Sequence, residues 1–252
     1  MKRKSFFDIY AHEYDLMTDA ARREKNHAEE VKAILKKFQP TTVLDAGCAT
    51  GLTTRLLAAE GVTVVGIDRS RKMIELARSN MTETEGVRSF QYGQFEKLPR
   101  NMYNKFDLVV CLANAVSGVG TLGGLRKAIK NFRAVLKPGG TLLIQMLNYT
   151  ALEEGVLMPV RTTVKDGLVF VRMTERRGRK YSLYVIRLDM NQKPVLTEPF
   201  RSEFDNFTVD EMTSGLKTTG FVKICKYADL FLNRRFIKSS RDLVITALKP
   251  GL

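Results

Sequence analysis

The sequence predicts an α/β protein: a mostly parallel β-sheet with helices on both faces, plus an inserted antiparallel β-sheet. Three observations lead there. Strand-like and helix-like segments alternate up to about residue 150. A glycine-bearing turn, Asp45-Ala46-Gly47-Cys48-Ala49-Thr50-Gly51, joins a short apolar run to a helical one. From 151 to 206 the pattern changes to strand periodicity, punctuated by Asp166-Gly167 and Gly178.

The elements follow in order. Residues 27–38 place Val31, Ile34, Leu35 and Phe38 on one helical face, and Pro40 stops that helix. Thr42-Val43-Leu44 is a short buried strand, 52–60 is helical, and Thr63-Val64-Val65-Gly66-Ile67 is apolar and β-branched. A strand–helix–strand unit thus closes, the seed of a parallel sheet. The alternation continues with a helix at 70–80, strands at 89–92 and 106–111, and a helix around 124–136. That helix ends at a Lys137-Pro138-Gly139-Gly140 turn, before a strand at 141–146. Within the insertion, 161–164, 168–174 and 181–189 read as antiparallel strands. Thr208-Val209-Asp210-Glu211 has capping-box spacing, Gly220 closes the helix it opens, and 221–227 and 242–247 supply two final strands.

Composition sets the broad class. The 252 residues are 44% hydrophobic and 27% charged, enough for one large domain or a domain with an insertion. No apolar run approaches the roughly 20 residues that span a bilayer. The start, Met1-Lys2-Arg3-Lys4-Ser5, leads into Phe6-Phe7-Asp8-Ile9-Tyr10 rather than a secretory apolar stretch, so a cytoplasmic protein is expected. Cys48, Cys111 and Cys225 are far apart, with no CxxC pair and only His12 and His27 as imidazoles, which argues against a zinc site or a disulfide framework. Lys plus Arg number 41 against 27 Asp plus Glu, a formal charge of +14 that raises encounter with nucleic acid, anionic membranes or acidic substrates. The densest basic run, Arg176-Arg177-Gly178-Arg179-Lys180, lacks the interleaved aromatics of a single-strand binding face and reads as a solvated hairpin tip.

The glycine turn carries the chemistry. The G-x-G-x-x-G of a dinucleotide site is absent, and Asp45 at the strand end would repel a pyrophosphate, whereas a carboxylate suits a ligand bearing an ammonium or sulfonium group. Beyond the second strand lies Asp68, at the offset where a carboxylate accepts both hydroxyls of an adenosine ribose. A hydrogen bond to a charged group contributes about 1.5–3 kcal/mol, so losing Asp68 should weaken binding about tenfold or more.

On these residues the chain resembles the class I S-adenosylmethionine-dependent methyltransferases, closest in pattern to the small-molecule, glycine-type N-methyltransferases. The segment from Asp45 to Gly51 is similar to that family's first motif, with Ala49 in place of the usual middle glycine. The resemblance makes Asp68 the ribose-binding acid, with Arg69 and Met73 flanking the adenosine. Gly93-Gln94-Phe95-Glu96-Lys97-Leu98-Pro99 resembles the adenine-binding segment, Gln94 replacing the common acidic residue and Phe95 offering its N–H and ring. Residues 106–114 resemble the fourth motif, which implies that Cys111 and Leu112 line the cofactor and that Asn114 faces the acceptor. Residues 131–149 are close to the glycine-type enzymes, which also carry an antiparallel insertion after this strand, and Asn148 falls on the substrate side. Tyr10-Ala11-His12-Glu13-Tyr14-Asp15-Leu16 resembles a lid, in which Tyr14 would meet the methionine carboxylate or the sulfonium and Tyr10 the substrate.

The resemblance implies a Rossmann-like, seven-stranded sheet organised as an N-terminal helical lid (1–40), a cofactor-binding core (41–150), an antiparallel insertion on the substrate side (151–206) and the last helix and strands of the core (207–252). The cofactor-binding set is then Tyr14, Asp45, Gly47, Cys48, Ala49, Gly51, Asp68, Arg69, Met73, Gln94, Phe95, Glu96, Cys111 and Leu112. Tyr10, Asn114 and Asn148 are the substrate candidates, and neither a metal ligand nor a catalytic residue is assigned. The implied reaction is in-line transfer of a methyl group from S-adenosylmethionine to an N or O atom of a small molecule, leaving S-adenosylhomocysteine. Alignment does most of the work, and a general base is optional for a neutral amine. His12 reads as an exposed residue, while Arg161, Arg172, Arg187 and Arg201 in the inserted strands can either bind a carboxylate or phosphate or form a solvated face. The +14 charge keeps an RNA or protein acceptor as the alternative, without a recognisable RNA-binding module and with Leu112-Ala113-Asn114-Ala115 where an Asn-Pro-Pro-Tyr-type motif would stand. A non-catalytic binder is disfavoured by the intact Asp45, Gly47, Gly51 and Asp68, and both a monomer and a homo-oligomer remain open.

Overall fold

The computed structural model describes residues 6–81, 87–193 and 199–251; the basic start from Met1 to Ser5, read above as non-secretory, lies outside them. In chain order come α1 (Phe6–Ile9), a 3-10 turn (Ala11–Glu13), α2 (Tyr14–Thr18), α3 (Ala20–Phe38), β1 (Thr42–Ala46), α4 (Leu52–Ala59), β2 (Thr63–Asp68), α5 (Arg71–Ser79), β3 (Val87–Tyr92) and β4 (Phe106–Cys111). They are followed by α6 (Leu122–Val135), β5 (Leu136–Leu147), β6 (Leu157–Lys165), β7 (Leu168–Arg177), β8 (Lys180–Asp189), β9 (Phe200–Asp205), α7 (Val209–Thr218), β10 (Val222–Tyr227) and β11 (Asp242–Leu248).

Two sheets form. The seven-stranded sheet has the order β10-β11-β5-β4-β1-β2-β3, parallel from β5 to β3, with β11 antiparallel to both its neighbours. Strand parity explains its two covered faces. Leu44, Ala46, Ile67, Val109 and Ile144 face one side, against Leu125, Ile129 and Phe132 of α6 and Met212 and Leu216 of α7. Val43, Val64, Leu108 and Val110 face the other, against Val31 and Ile34 of α3 and Leu57 of α4. The chain runs from β1 outward to β3, then returns to place β4 on the opposite side of β1. Beyond the carboxyl ends of β1 and β4 that reversal opens a crevice, the place where open α/β sheets hold ligands.

The inserted sheet has four antiparallel strands, β6-β7-β8-β9, one more than the sequence pattern gave. β9 pairs with β8 from Val185↔Phe200 to Lys180↔Asp205. Asp166 and Gly167 both have positive φ, 53° and 75°, as a tight turn between β6 and β7 requires. Two other boundaries differ from the sequence reading. α3 begins at Ala20 rather than 27, because its first turns (Arg22, Arg23, Glu24, Lys25) carry no apolar stripe to signal them. The Lys137-Pro138-Gly139-Gly140 segment is an irregular start to β5, with a register shift between Phe106 and Leu108, rather than a turn before it.

The N-terminal helices join both sheets. Phe6, Tyr10 and Met17 pack with Phe170 and Val185 of the insertion. Glu13 accepts from Arg187 at 3.0 Å from Nε and 2.8 Å from Nη2, and Thr163 Oγ1 donates to the Met17 carbonyl at 3.1 Å. On the core side, Ser70 Oγ donates to Asp8 Oδ1 at 2.7 Å.

Candidate functional site

The crevice becomes a cavity because α1, α2 and the insertion roof it; its lining comes from the carboxyl ends of β1, β2, β4 and β5, from the lid and from β7, β8 and β9. The loop after β1 sets its floor. Gly47 and Gly51 hold φ of 88° and 87°, and a Cβ on Gly47 would lie 2.5 Å from the Cβ of Ala115, so the loop closes only with glycine there. Ala49 sits at φ 47°, a left-handed conformation costing an L-residue about 1–2 kcal/mol. Its N–H donates to Asp68 Oδ2 at 3.1 Å, which helps to hold it.

The loop amides are committed inside the chain. Gly47 N and Cys48 N both donate to the Ile67 carbonyl, at 2.8 and 3.0 Å, and Gly51 N donates to the Cys48 carbonyl at 2.8 Å. A phosphate cradle needs such N–H groups turned toward its ligand, and here the carboxylates face the cavity instead.

Asp68, 9% exposed, accepts from Ser70 N at 2.8 Å on one oxygen and from Ala49 N on the other. Each oxygen keeps lone-pair capacity for a ligand hydroxyl. Burial raises its pKa, opposed by the two backbone N–H groups. Asp45 is more extreme: 2% exposed, it accepts one hydrogen bond, from Thr54 Oγ1 at 2.7 Å. Burial lifts its carboxyl to about 6, against the Thr54 bond and the nearby His27 imidazole. A cationic group in the cavity would hold Asp45 ionised.

Along the adenine-like side, Gln94 is exposed and donates from Nε2 to the Tyr92 hydroxyl at 3.1 Å, leaving its carbonyl oxygen as an acceptor. The Phe95 ring is buried against Phe132, centroids 5.4 Å apart, so it both packs in the core and lines the cavity. Arg69 spans to the Gly118 carbonyl. At the opposite end, Ala113 and Asn114 take consecutive positive φ values of 50° and 65°, backbone strain of the kind that clusters at functional loops. Asn114 is fixed at both ends of its amide: Nδ2 donates to the Tyr181 hydroxyl at 2.6 Å, while Oδ1 accepts from Ser117 Oγ at 3.1 Å and Leu147 N at 3.2 Å. Tyr181 stacks between Tyr149 (3.7 Å, 13°) and Phe204 (5.2 Å, 16°).

The cavity therefore gathers Tyr14, Asp45, Gly47, Cys48, Ala49, Asp68, Arg69, Gln94, Phe95, Glu96, Leu112 and Asn114 from the sequence-predicted set. Five others are placed elsewhere. Tyr10 packs against Phe6 and Phe200, Gly51 caps α4 behind the loop, and Met73 is wholly buried on the inner face of α5. Cys111 turns into the α6 side of the core by strand parity, and Asn148 donates to the Lys238 and Ser240 carbonyls. The sequence reading missed Tyr149, Tyr181, Phe204, Arg23 and, as a lining residue, Phe7. Aromatic residues at strand parity in the insertion were the available signal for Tyr181 and Phe204, and it is the same signal that core residues give. Among the described residues no group of three or more His, Cys, Asp or Glu could hold a metal ion, and no helix is long and apolar enough to cross a membrane.

Comparison with known proteins follows the same outline. Residues 43–140, from β1 through the start of β5, match the family model described as a methyltransferase domain. That segment is a methyltransferase domain. Around it, 153 residues of the chain are 28% identical to the glycine/sarcosine N-methyltransferase of Parasynechococcus marenigrum, covering 61% of this chain and 54% of that protein. The chain thus matches just over half the length of this curated relative. Beyond the methyltransferase domain, the whole fold is shared with solved methyltransferases. CcbJ of Streptomyces caelestis superimposes with a TM-score of 0.74 at 22% identity over 89% of this chain and 94% of that one. CalS10, an amino pentose methyltransferase of Micromonospora echinaspora solved with S-adenosylmethionine bound, gives 0.70 at 20% identity over 99% and 100%.

Proposed function

We propose that the protein is an S-adenosylmethionine-dependent methyltransferase that acts on an N or O atom of a small molecule. One observation carries this: two buried carboxylates, Asp45 and Asp68, flank a loop whose amides are committed to its own chain, a donor set that fits a cationic adenosine ligand and not a pyrophosphate. When bound, S-adenosylmethionine would supply an electrophilic methyl group on its sulfonium, with S-adenosylhomocysteine as the leaving group and the proton of a methylated amine going to solvent.

The chain's own residues bind, align and exclude water. Asp68 takes the ribose hydroxyls, Asp45 and the Gly47 turn the cationic aminoacyl end, and Gln94 with Phe95 the adenine. Leu112 and the strained Ala113-Asn114 corner set the wall beside the methyl group. Asn114, Tyr149, Tyr181 and Phe204 form a rigid, largely apolar acceptor slot whose geometry is locked by packing and hydrogen bonds. Burial pushes the Tyr181 phenol up to about 12 and Tyr149 higher still, so both stay protonated and serve as donors rather than bases at neutral pH. With no carboxylate or imidazole among the described residues at that end of the cavity, an acceptor that brings its own lone pair, a neutral amine, suits the slot best, in keeping with the glycine/sarcosine N-methyltransferase relative.

In this reading 1–40 acts as the lid, 41–150 as the cofactor core, 151–206 as the substrate side and 207–252 as the completion of the core, in a cytoplasmic monomer or homo-oligomer. The +14 charge would favour an RNA or protein acceptor, but the densest basic run is neutralised in place: Arg176 pairs with Glu154, Arg177 with Glu175 and Arg179 with Glu211. The test is transfer of labelled methyl from S-adenosylmethionine to metabolite, RNA and protein fractions. Label is expected in small amines; label confined to RNA or protein would replace this reading.

A further inference from the structure

Arg172 makes no hydrogen bond or ion pair with any described residue, and its Nε is buried without a partner. Its surroundings make that unusual. On β7 the residues Phe170, Arg172 and Thr174 share one face by strand parity; Phe170 is buried against the N-terminal helices and Thr174 is buried too, so the guanidinium between them is directed inward, where it lines the cavity. The other three arginines that alternate through the inserted sheet are all satisfied: Arg161 by Asp19, Arg187 by Glu13 and Arg201 by Glu203. Arg23, from the first turns of α3, reaches the same cavity and donates to Thr18 Oγ1 at 2.9 Å.

Electrostatics point the same way. Burial, together with the like charges of Arg161 and Arg23, lowers the pKa of Arg172, while the Tyr14 phenol on the facing lid helix acts in the opposite direction. A guanidinium remains charged throughout the physiological range, so the protein holds a partly desolvated cation whose donors no described residue accepts. An anion completes such a site, and a planar carboxylate matches the guanidinium fork. The cavity is therefore polarised, with Asp45 and Asp68 at its floor and Arg172 with Arg23 beneath its roof.

We propose that Arg172 is the carboxylate receptor of this cavity, a positioning residue that, with Arg23 and the Tyr14 hydroxyl, anchors a ligand carboxylate so that the ligand spans the cavity from roof to floor. The assignment rests on the proposed methyltransferase reading. Two sources share the chemistry: the aminoacyl carboxylate of the cofactor, and a carboxylate on the acceptor.

The experiment titrates full-length wild type, Arg172→Met and Arg172→Lys with S-adenosylhomocysteine and with 5′-methylthioadenosine, which keeps the adenosine and thioether but lacks the aminoacyl group. Glycine and acetate are then titrated into the S-adenosylhomocysteine complex. If the cofactor supplies the carboxylate, Arg172→Met weakens S-adenosylhomocysteine about tenfold or more and leaves 5′-methylthioadenosine unchanged, with Arg172→Lys in between. If the acceptor supplies it, both nucleosides bind as before and glycine or acetate binding disappears. The proposal is overturned if Arg172→Met binds every ligand as wild type does, or weakens both nucleosides equally, as a general packing defect would. A wild type that binds neither nucleoside sinks the cofactor reading instead, and the anion site then stands or falls on whether acetate binds wild type and is lost in Arg172→Met.

Discussion

Asp45 shows at the scale of one residue how stability and binding oppose each other. Its buried carboxyl has a pKa of about 6, above the 3.8 of an unfolded chain, so protonation favours the folded state. That contribution is complete below about pH 4 and is lost as pH rises through 6. Above that range the ionised group leaves the ligand-free protein roughly 3 kcal/mol less stable than the protonated one would be. Asparagine at this position can still accept from Thr54 Oγ1 without carrying the charge. Asp45→Asn should therefore raise the Tm of the ligand-free protein at pH 8 far more than at pH 5, read by thermal scans at the two pH values, and should weaken cofactor binding. A Tm shift equal at both would remove burial of charge as the cause. The type and spacing of Asp45 and Asp68 were legible in the sequence because they fall at strand ends beside a glycine turn. The left-handed backbone of Ala49 was not, since its only sign is an alanine in a family position usually held by glycine, and the hydrogen bond that supports it is accepted by Asp68, distant in sequence.

Among the elements, those with a covered apolar face were the readable ones. α4, predicted over 52–60, is Leu52–Ala59, and β4 runs over the predicted residues, because burial on both faces of the sheet writes continuous apolar strands between amphipathic helices. The first turns of α3 and the edge strand β9 were missed because each is half-exposed and mixes charge into its pattern, as in Phe200-Arg201-Ser202-Glu203. The lid owes its position to tertiary contacts rather than local propensity. Its bidentate pair between Glu13 and Arg187 is partly shielded, with side chains 30% and 20% exposed, and reaches across the whole chain from the 3-10 turn to β8. Glu13→Gln should release it: faster hydrogen exchange over residues 6–19 with exchange in β1 and β4 unaltered, and a several-fold loss of cofactor affinity at most, since an exposed-to-intermediate pair contributes about 1 kcal/mol. Unchanged exchange in the lid would mean that its other contacts, the packing of Phe6 and Tyr10 and the bonds at Asp8, Met17 and Asp19, hold it without the pair.

For the whole molecule, the deciding feature is the reversal of strand order between β1 and β4, which brings the ends of four strands under the lid and the inserted sheet. The proposed cofactor side of that cavity is mostly local in sequence, drawn from the turns after β1, β2 and β3, and so could be read in advance. The proposed acceptor side is assembled from Asn114, Tyr149, Tyr181 and Phe204, four residues on separate elements whose meeting depends on how the insertion docks. The net charge of +14 likewise says little about the cavity, because the arginines of the inserted sheet are largely paired on its surface, and Arg172, which lines the cavity, makes no hydrogen bond or ion pair with any described residue. All of this hangs on the ligand for which Asp45 and Asp68 are arranged. Calorimetric titration of the full chain with S-adenosylhomocysteine, beside Asp68→Ala, measures it: saturable one-to-one heat from the wild type, about tenfold or more weaker in the variant, is the predicted result, and no heat from a folded wild type would contradict it.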